Sequence, residues 1–280
     1  MHTGKSSNAP GRDVFPMDVG EFLKRDFLKR ADITLVCGTS CFSKLIQRAT
    51  RSPFSHAGLI FLIPGKKSGF EKAFTIDAVP KGVLIKDLGE IVGAAPAKKS
   101  KYAVVILRLE STWFDESVQN LVRGRMLDFI KAGYDWSTVF GLFWTIAKGI
   151  LCGQEKYRGA MQKSLKNHYR RGRLAPANFI CNGLVQYGFL KTLYKLSQRP
   201  ESGVDINDAR SVIFDQKLRD KKVGAVLGGE PDARAELLAT TPEEISRTTV
   251  FHYKFLIVDG KVHQVANRAA VIELPKRRRQ

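Results

Sequence analysis

The sequence predicts an α+β fold in which an antiparallel β-sheet packs against helices. Apolar runs of strand length recur at HAGLIFLI (56–63), YAVVILRL (102–109) and FHYKFLIVDGKVHQV (251–265). Two hairpins are expected, one turning on Asp259-Gly260 and one on PGKKSG, a turn by composition. Segments between the strands carry apolar residues at helical spacing.

Taken in order, residues 1–12 read as a flexible polar lead-in. MDVGEFLKRDFLKR (17–30) is predicted helical, with Phe22, Leu23, Phe27 and Leu28 on one stripe. ADITLVCG is a short β-rich run. FSKLIQRAT (42–50) is a helix that SPF breaks before the strand at His56. EKAFTIDAV (71–79) alternates as a returning strand should, and KGVLIKDL continues as another extended piece. SVQNLVRGRMLDFIKAG (117–133) is predicted helical, with Gly133 as its stop. GLVQYGFLKTLYKL (183–196) reads as an amphipathic helix, and residues 200–235 as a polar, turn-rich insertion. TTPEEISRT opens a helix with Thr241 as N-cap, Pro242 at the first position and Glu244 completing a capping box. There is no internal repeat. The organisation expected is one domain over 13–270, with a basic insertion at about 154–178, the polar one at about 200–235, and a basic, disordered tail at 271–280.

Hydrophobic content of 44% against 26% charged residues excludes global disorder. Four cysteines (Cys37, Cys41, Cys152 and Cys181) are too few for a disulfide framework, so free thiols are expected. Cys37 and Cys41 lack a second ligand pair nearby, which makes a poor zinc pattern. The first fifteen residues hold no apolar run of the kind a secretory signal needs. The longest apolar stretch, TVFGLFWTIAKGILC (138–152), is too short to span a bilayer and is interrupted by Lys148; it reads as a buried helix or as an apolar surface that admits lipid. The location expected is cytoplasmic or peripheral to a membrane, with delivery by a dedicated secretion machine left open. The formal charge of +19 predicts attraction to anionic surfaces, whether nucleic acid or acidic lipid. No zinc-finger spacing, RNA-recognition strand motif or KH-type loop is present, so a nucleic-acid partner is not favoured. The basic stretch 154–178, with Lys156, Arg158, Lys163, Lys166, Arg170, Arg171 and Arg173, reads as a solvated loop or a contact to phosphate head groups.

A thiol nucleophile needs a lowered pKa, a nearby base and donors for an oxyanion. Cys181 meets the first and last at the junction of ANFI with a predicted helix, where the positive end of the helix dipole favours a thiolate and backbone N–H groups are free. Asn182 and Gly183 are expected to leave room for substrate. His56 opens its strand, and Asp77 lies near the end of the returning strand. In any hairpin register whose opposed pairs sum to an odd number the two fall on one face, opposite or diagonal, so that the carboxylate can hold the imidazole. His2, His168, His252 and His263 lack such a partner; His168, inside the basic stretch, is the rival base.

FICNGLVQYGF resembles the nucleophile segment of NlpC-type papain-like hydrolases. In those enzymes the histidine follows the cysteine, whereas here SPFSHAGLIF precedes it and is followed by TIDAVPKGV. That order resembles the circularly permuted branch: the YaeF/YiiX-type permuted papain-like amidases, related to lecithin retinol acyltransferase. ADITLV, FSKLIQRATRSPFSHAGL, GYDW and TPEEISRT match further pieces in order, over roughly residues 31–265. Asp77 stands where the family more often has Glu, and Asn182 where Ser is common. The resemblance implies a permuted papain-like fold with the nucleophile at a helix N-terminus. Cys181 would attack a carbonyl, His56 act as base and acid, Asp77 fix the tautomer, and Tyr134 add a hydroxyl donor. It implies no metal and no organic cofactor. The substrate expected is a peptide, an N-acyl amine or a phospholipid acyl ester, the last suiting an anionic membrane. The alternative class is a non-catalytic basic binding protein on a decayed hydrolase scaffold.

Overall fold

The computed structural model describes residues 15–65, 69–93, 102–130, 132–134, 159, 162–163, 178–179, 181–214, 235 and 237–277. The apolar stretch 138–152, nearly all of the basic stretch 154–178, His2, His168 and Cys152 lie outside the described residues.

Strands β1 (Met17–Asp18), β2 (Ile33–Cys37), β3 (His56–Leu62), β4 (Phe74–Val79), β5 (Gly82–Asp87), β6 (Ala103–Leu109), β9 (Phe251–Val258) and β10 (Lys261–Gln264) form one antiparallel sheet. Their order is β1-β10-β9-β6-β2-β3-β4-β5. β7 (Gly133–Tyr134) and β8 (Asn178–Phe179) make a small parallel pair apart from it. The helices are α1 (Val19–Lys24), α2 (Cys41–Thr50), α3 (Leu88–Val92), α4 (Glu116–Leu127), α5 (Cys181–Ser197), α6 (Ile206–Ser211), α7 (Pro242–Arg247) and α8 (Arg268–Arg277). The chain is thus α+β, a large antiparallel sheet packed against helices.

The central strands read as continuous apolar runs because both faces of the sheet are buried. Leu35, Ala57, Leu59 and Ile76 enter a core shared with Val122 and Met126 of α4 and Leu184 and Phe189 of α5. Val36, Ile60, Val104 and Ile106 enter a second core with Phe22 of α1 and Leu88 of α3. The two signals written locally in sequence appear as expected. Asp259 and Gly260 both take positive φ (51° and 74°) between β9 and β10, the geometry of a tight hairpin turn. The capping box at α7 is complete: Thr241 accepts from Glu244 N–H, and the Glu244 side chain accepts from Thr241 N–H.

Five parts of the chain differ from expectation. The helix predicted over 17–30 stops at Lys24, and Arg25 is extended. Phe22 and Phe27 would lie about 140° apart on a continuous helix. The turn stacks them instead, at 5.3 Å, against Phe255. The helix predicted to run to Gly133 ends at Leu127. The chain leaves it so that Ala132 O can accept from Val83 N–H (3.1 Å) on the outer strand β5, and Gly133 then opens β7. α5 is not amphipathic: only Lys191 and Lys195 are exposed, because the sheet, α4 and α6 enclose it. The segment 200–214 packs into the first core through Val204, Ala209, Val212 and Phe214. Buried Gln186 of α5 ties it down, donating to Val212 O (2.7 Å) and accepting from Phe214 N–H (2.9 Å). The basic end is likewise not wholly a tail: α8 extends to Arg277, and Val271 is buried.

Candidate active site

β3 begins where α2 is forced to stop. Arg51 takes a left-handed conformation (φ 52°), and Ser52 N–H returns to Gln47 O (3.0 Å). Phe54 is buried, and Ser55 Oγ accepts from Gly38 N–H (3.2 Å), which pins the chain to the end of β2. The backbone is therefore fixed on both sides by the time it reaches His56.

Leu59 pairs with Ile76 and Ile60 with Thr75, so the opposed pairs have an odd sum near His56. Carried on by one pair, the register sets Gly58 across from Asp77 and makes His56 the diagonal neighbour of Asp77 on the same face. The His56 Nε2···Asp77 Oδ2 distance is 2.7 Å. Gly58 makes this reach possible. A Cβ there would stand 3.1 Å from Asp77 Cβ and 3.0 Å from Thr34 Oγ1, on the neighbouring strand. A glycine inside a strand is a recognised sign of such close approach, so the signal was present in HAGLIFLI.

Cys181 is the first residue of α5 and is 4% exposed. His56 is the first residue of β3, and Cys181 lies near enough for its charge to act on the ring. Because Asp77 takes Nε2, Nδ1 is the nitrogen left for the thiol. Burial by itself would push the His56 pKa down. The negative charge at Cys181 and the hydrogen bond and charge of Asp77 outweigh it, and the imidazole is lifted to about 10. Asp77 is buried (3% exposed), and its other oxygen, Oδ1, lies 3.7 Å from Lys86 Nζ.

The remaining expectations fare differently. Gly183 does not make room for substrate: a Cβ there would meet Leu238 O at 2.5 Å, so the space belongs to the chain's own backbone. Asn182 is buried (1% exposed). Tyr134 is placed by its backbone in β7, opposite Phe179, two residues before Cys181. His252 and His263 stand on β9 and β10, opposite Arg108 and Leu256.

A cavity of about 340 Å³ opens on the face that carries His56 and Asp77. Its walls are mainly apolar, with Val36, Phe42, Ile46, Leu88 and Val104 among them, and Thr34, Ser55 and Lys86 add polar groups. Among the described residues no group of three or more His, Cys, Asp or Glu is arranged to hold a metal ion. Nor is any helix among them long and apolar enough to cross a membrane.

No family model matches the chain, and no curated protein matches it. Among solved structures it is similar to the metalloprotein YiiX of Escherichia coli O157:H7, at 15% identity and a TM-score of 0.43, over 80% of this chain and 95% of that one. So weak a likeness carries no chemistry across to this chain.

Proposed function

We propose that the chain is a thiol-dependent hydrolase or acyltransferase acting on an amide or acyl-ester carbonyl, built as a circularly permuted papain-like enzyme. One observation carries this reading. A cysteine, a histidine and a carboxylate from a helix and two strands, far apart in sequence, converge with the carboxylate on Nε2 and the thiol beside the ring.

The chemistry follows from that order. His56 Nδ1 takes the thiol proton, and Cys181 Sγ attacks the carbonyl carbon. Asp77 accepts from Nε2–H, which fixes the tautomer and supports the imidazolium. The oxyanion faces the backbone N–H groups at the start of α5, with the Tyr134 hydroxyl as a further donor in this proposal. Collapse of the intermediate expels an amine or alcohol, which takes its proton from His56 and leaves a thioester on Cys181. Water, or an acceptor nucleophile, gives up a proton to His56 as it bonds to the thioester carbonyl carbon. The C–S bond then breaks, the acyl group leaves on the new nucleophile, and Cys181 recovers its proton from His56.

An amide substrate is the default for this chemistry. The apolar walls of the adjoining cavity favour a second reading within the same class, a lipid acyl ester whose chain lies along Val36, Phe42, Ile46 and Leu88. The net charge of +19 suits such an enzyme at an anionic membrane.

Thiol labelling resolved by residue tests the enzyme reading. Iodoacetamide is expected to modify Cys181 faster at neutral pH than its exposure predicts, and His56→Ala to abolish that advantage. If Cys181 reacts no faster than Cys41 and His56→Ala changes nothing, the chain is a binding protein on this scaffold. Incubation with a peptide panel and with anionic phospholipid vesicles, followed by assay for new amines and for fatty acid, separates the two substrates.

A further inference from the structure

Lys86 was not among the residues that sequence reasoning selected, since a lysine in a strand ordinarily faces water. Its register gives it another role. β4 pairs with β5 so that Thr75 stands opposite Lys86 and Asp77 opposite Leu84. Lys86 is therefore the diagonal neighbour of Asp77 on one side, as His56 is on the other. The three side chains lie on a single diagonal across β3, β4 and β5, with the carboxylate in the middle. Lys86 Nζ is 3.7 Å from Asp77 Oδ1, while Asp77 Oδ2 is 2.7 Å from His56 Nε2. Asp77 Oδ1 is buried and has no hydrogen-bond partner among the described residues, and the charge of Lys86 is 3.7 Å from it. The Lys86 side chain is 35% exposed and lines the cavity, whereas that of Asp77 is 5% exposed.

Charge counting shows what this arrangement does. With the thiol ionised and the ring protonated, Cys181, His56 and Asp77 carry one net negative charge in a largely buried cluster. An ammonium beside Asp77 brings it to zero, and uncompensated buried charge is costly. Of the other ionisable groups near Lys86, Lys72, Asp87 and Glu90 line the neighbouring groove with it, and Tyr102 lines both that groove and the cavity. Lys72 is engaged by Asp87 at 2.8 Å, so among the described residues Lys86 is the cation aimed at Asp77.

We propose that Lys86 is a positioning residue of the site, the counter-ion that holds Asp77 from the side opposite His56 and brings the ionised Cys181–His56–Asp77 cluster to electrical neutrality. The proposal rests on the hydrolase reading above. It gives Lys86 two effects of one direction. Its positive charge favours the Cys181 thiolate, and it competes with the imidazolium for Asp77, so that His56 gives up its proton to a leaving group more readily. Removing the charge moves both events to higher pH.

The test uses the full chain and three variants, Lys86→Met, Lys86→Gln and Lys86→Arg, each checked for native far-ultraviolet circular dichroism. The rate of Cys181 alkylation by iodoacetamide is followed against pH by peptide mass spectrometry, with exposed Cys41 in the same molecule as internal control. In Lys86→Met and Lys86→Gln the acid limb of the Cys181 profile is expected to move up by about one pH unit, while Cys41 is unchanged and Lys86→Arg restores the wild-type curve. The His56 ring, followed by NMR, is expected to hold its proton to higher pH in Lys86→Met than in wild type. A lysine serving only to pack the strand would leave both profiles in place. A wild-type acid limb that Lys86→Met does not shift, in folded protein, overturns the proposal and leaves the hydrolase reading standing. A wild-type Cys181 with no acid limb below that of Cys41 overturns the hydrolase reading and this proposal together.

Discussion

His56 holds its proton because of what surrounds it, and that has a consequence for stability. Its ordinary pKa of 6.5 rises to about 10 in the folded chain: burial opposes the proton, but the charge of Cys181 and the hydrogen bond and charge of Asp77 retain it. A pKa raised by folding contributes stability that is fully present below about pH 6.5 and is lost as pH rises through about 10. Urea unfolding of the wild type is therefore expected to show a midpoint that falls between those limits. His56→Ala should flatten the fall, and a variant curve parallel to the wild type would contradict the assignment. Gly58 is the second residue on which the pair depends. Gly58→Ala places a Cβ 3.1 Å from Asp77 Cβ and 3.0 Å from Thr34 Oγ1, with Ile76 O at 3.3 Å. Overpacking of this kind costs about 1–3 kcal/mol. Because the displaced group is Asp77, alkylation of Cys181 at neutral pH should also slow, an effect that a change in stability alone would not produce.

At the scale of elements, α5 carries Cys181 and is held by two glycine contacts of different kinds. A Cβ on Gly183 would meet the backbone oxygen of Leu238 at 2.5 Å, which cannot move without shifting the segment before α7. A Cβ on Gly188 would meet Met126 Cγ at 2.8 Å, the middle of a flexible side chain on α4. Gly183→Ala is expected to lower unfolding free energy by about 2 kcal/mol or more. Gly188→Ala should cost far less, since Met126 can turn aside and alanine favours the helix by about 1 kcal/mol. Chemical denaturation of the two variants gives the comparison directly. The elements also show which signals a sequence carries. The Asp259-Gly260 turn and the Thr241–Glu244 box are legible because each is completed within four residues. The ends of α1 and α4 are not, because the stacking of Phe27 on Phe22 and the pairing of Ala132 with Val83 are made with neighbours that helical periodicity does not encode.

For the whole molecule, the N-terminal segment is joined to the centre of the sheet by a buried ion pair. Arg108 of β6 donates from Nε to Asp32 Oδ1 (2.8 Å) and from Nη2 to Asp32 Oδ2 (2.7 Å), and also to Phe27 O (2.6 Å). Asp32 further accepts from Lys29 N–H (2.8 Å), so one carboxylate organises the turn that leads into β2. Arg108→Met would leave Asp32 charged and buried, at a cost of about 3–5 kcal/mol. Pairing it with Asp32→Asn should recover much of the loss, and the double-mutant cycle in urea measures the coupling. An additive result would mean that the pair does not act as a unit.

The sequence by itself determined the α+β class, most strand positions, the two locally closed signals and the excess of positive charge, since each depends on residue type and short-range period alone. It also selected His56, Asp77 and Cys181 by residue type and position. What the tertiary structure decided is how they stand: the pairing of Leu59 with Ile76, which turns His56 toward Asp77, and the seating of α5 against the sheet, which brings Cys181 to the ring. Gly58 and Lys86 joined the site only there. A strand register and a helix seat are set by contacts between segments tens of residues apart, where packing of both faces of the sheet selects one arrangement.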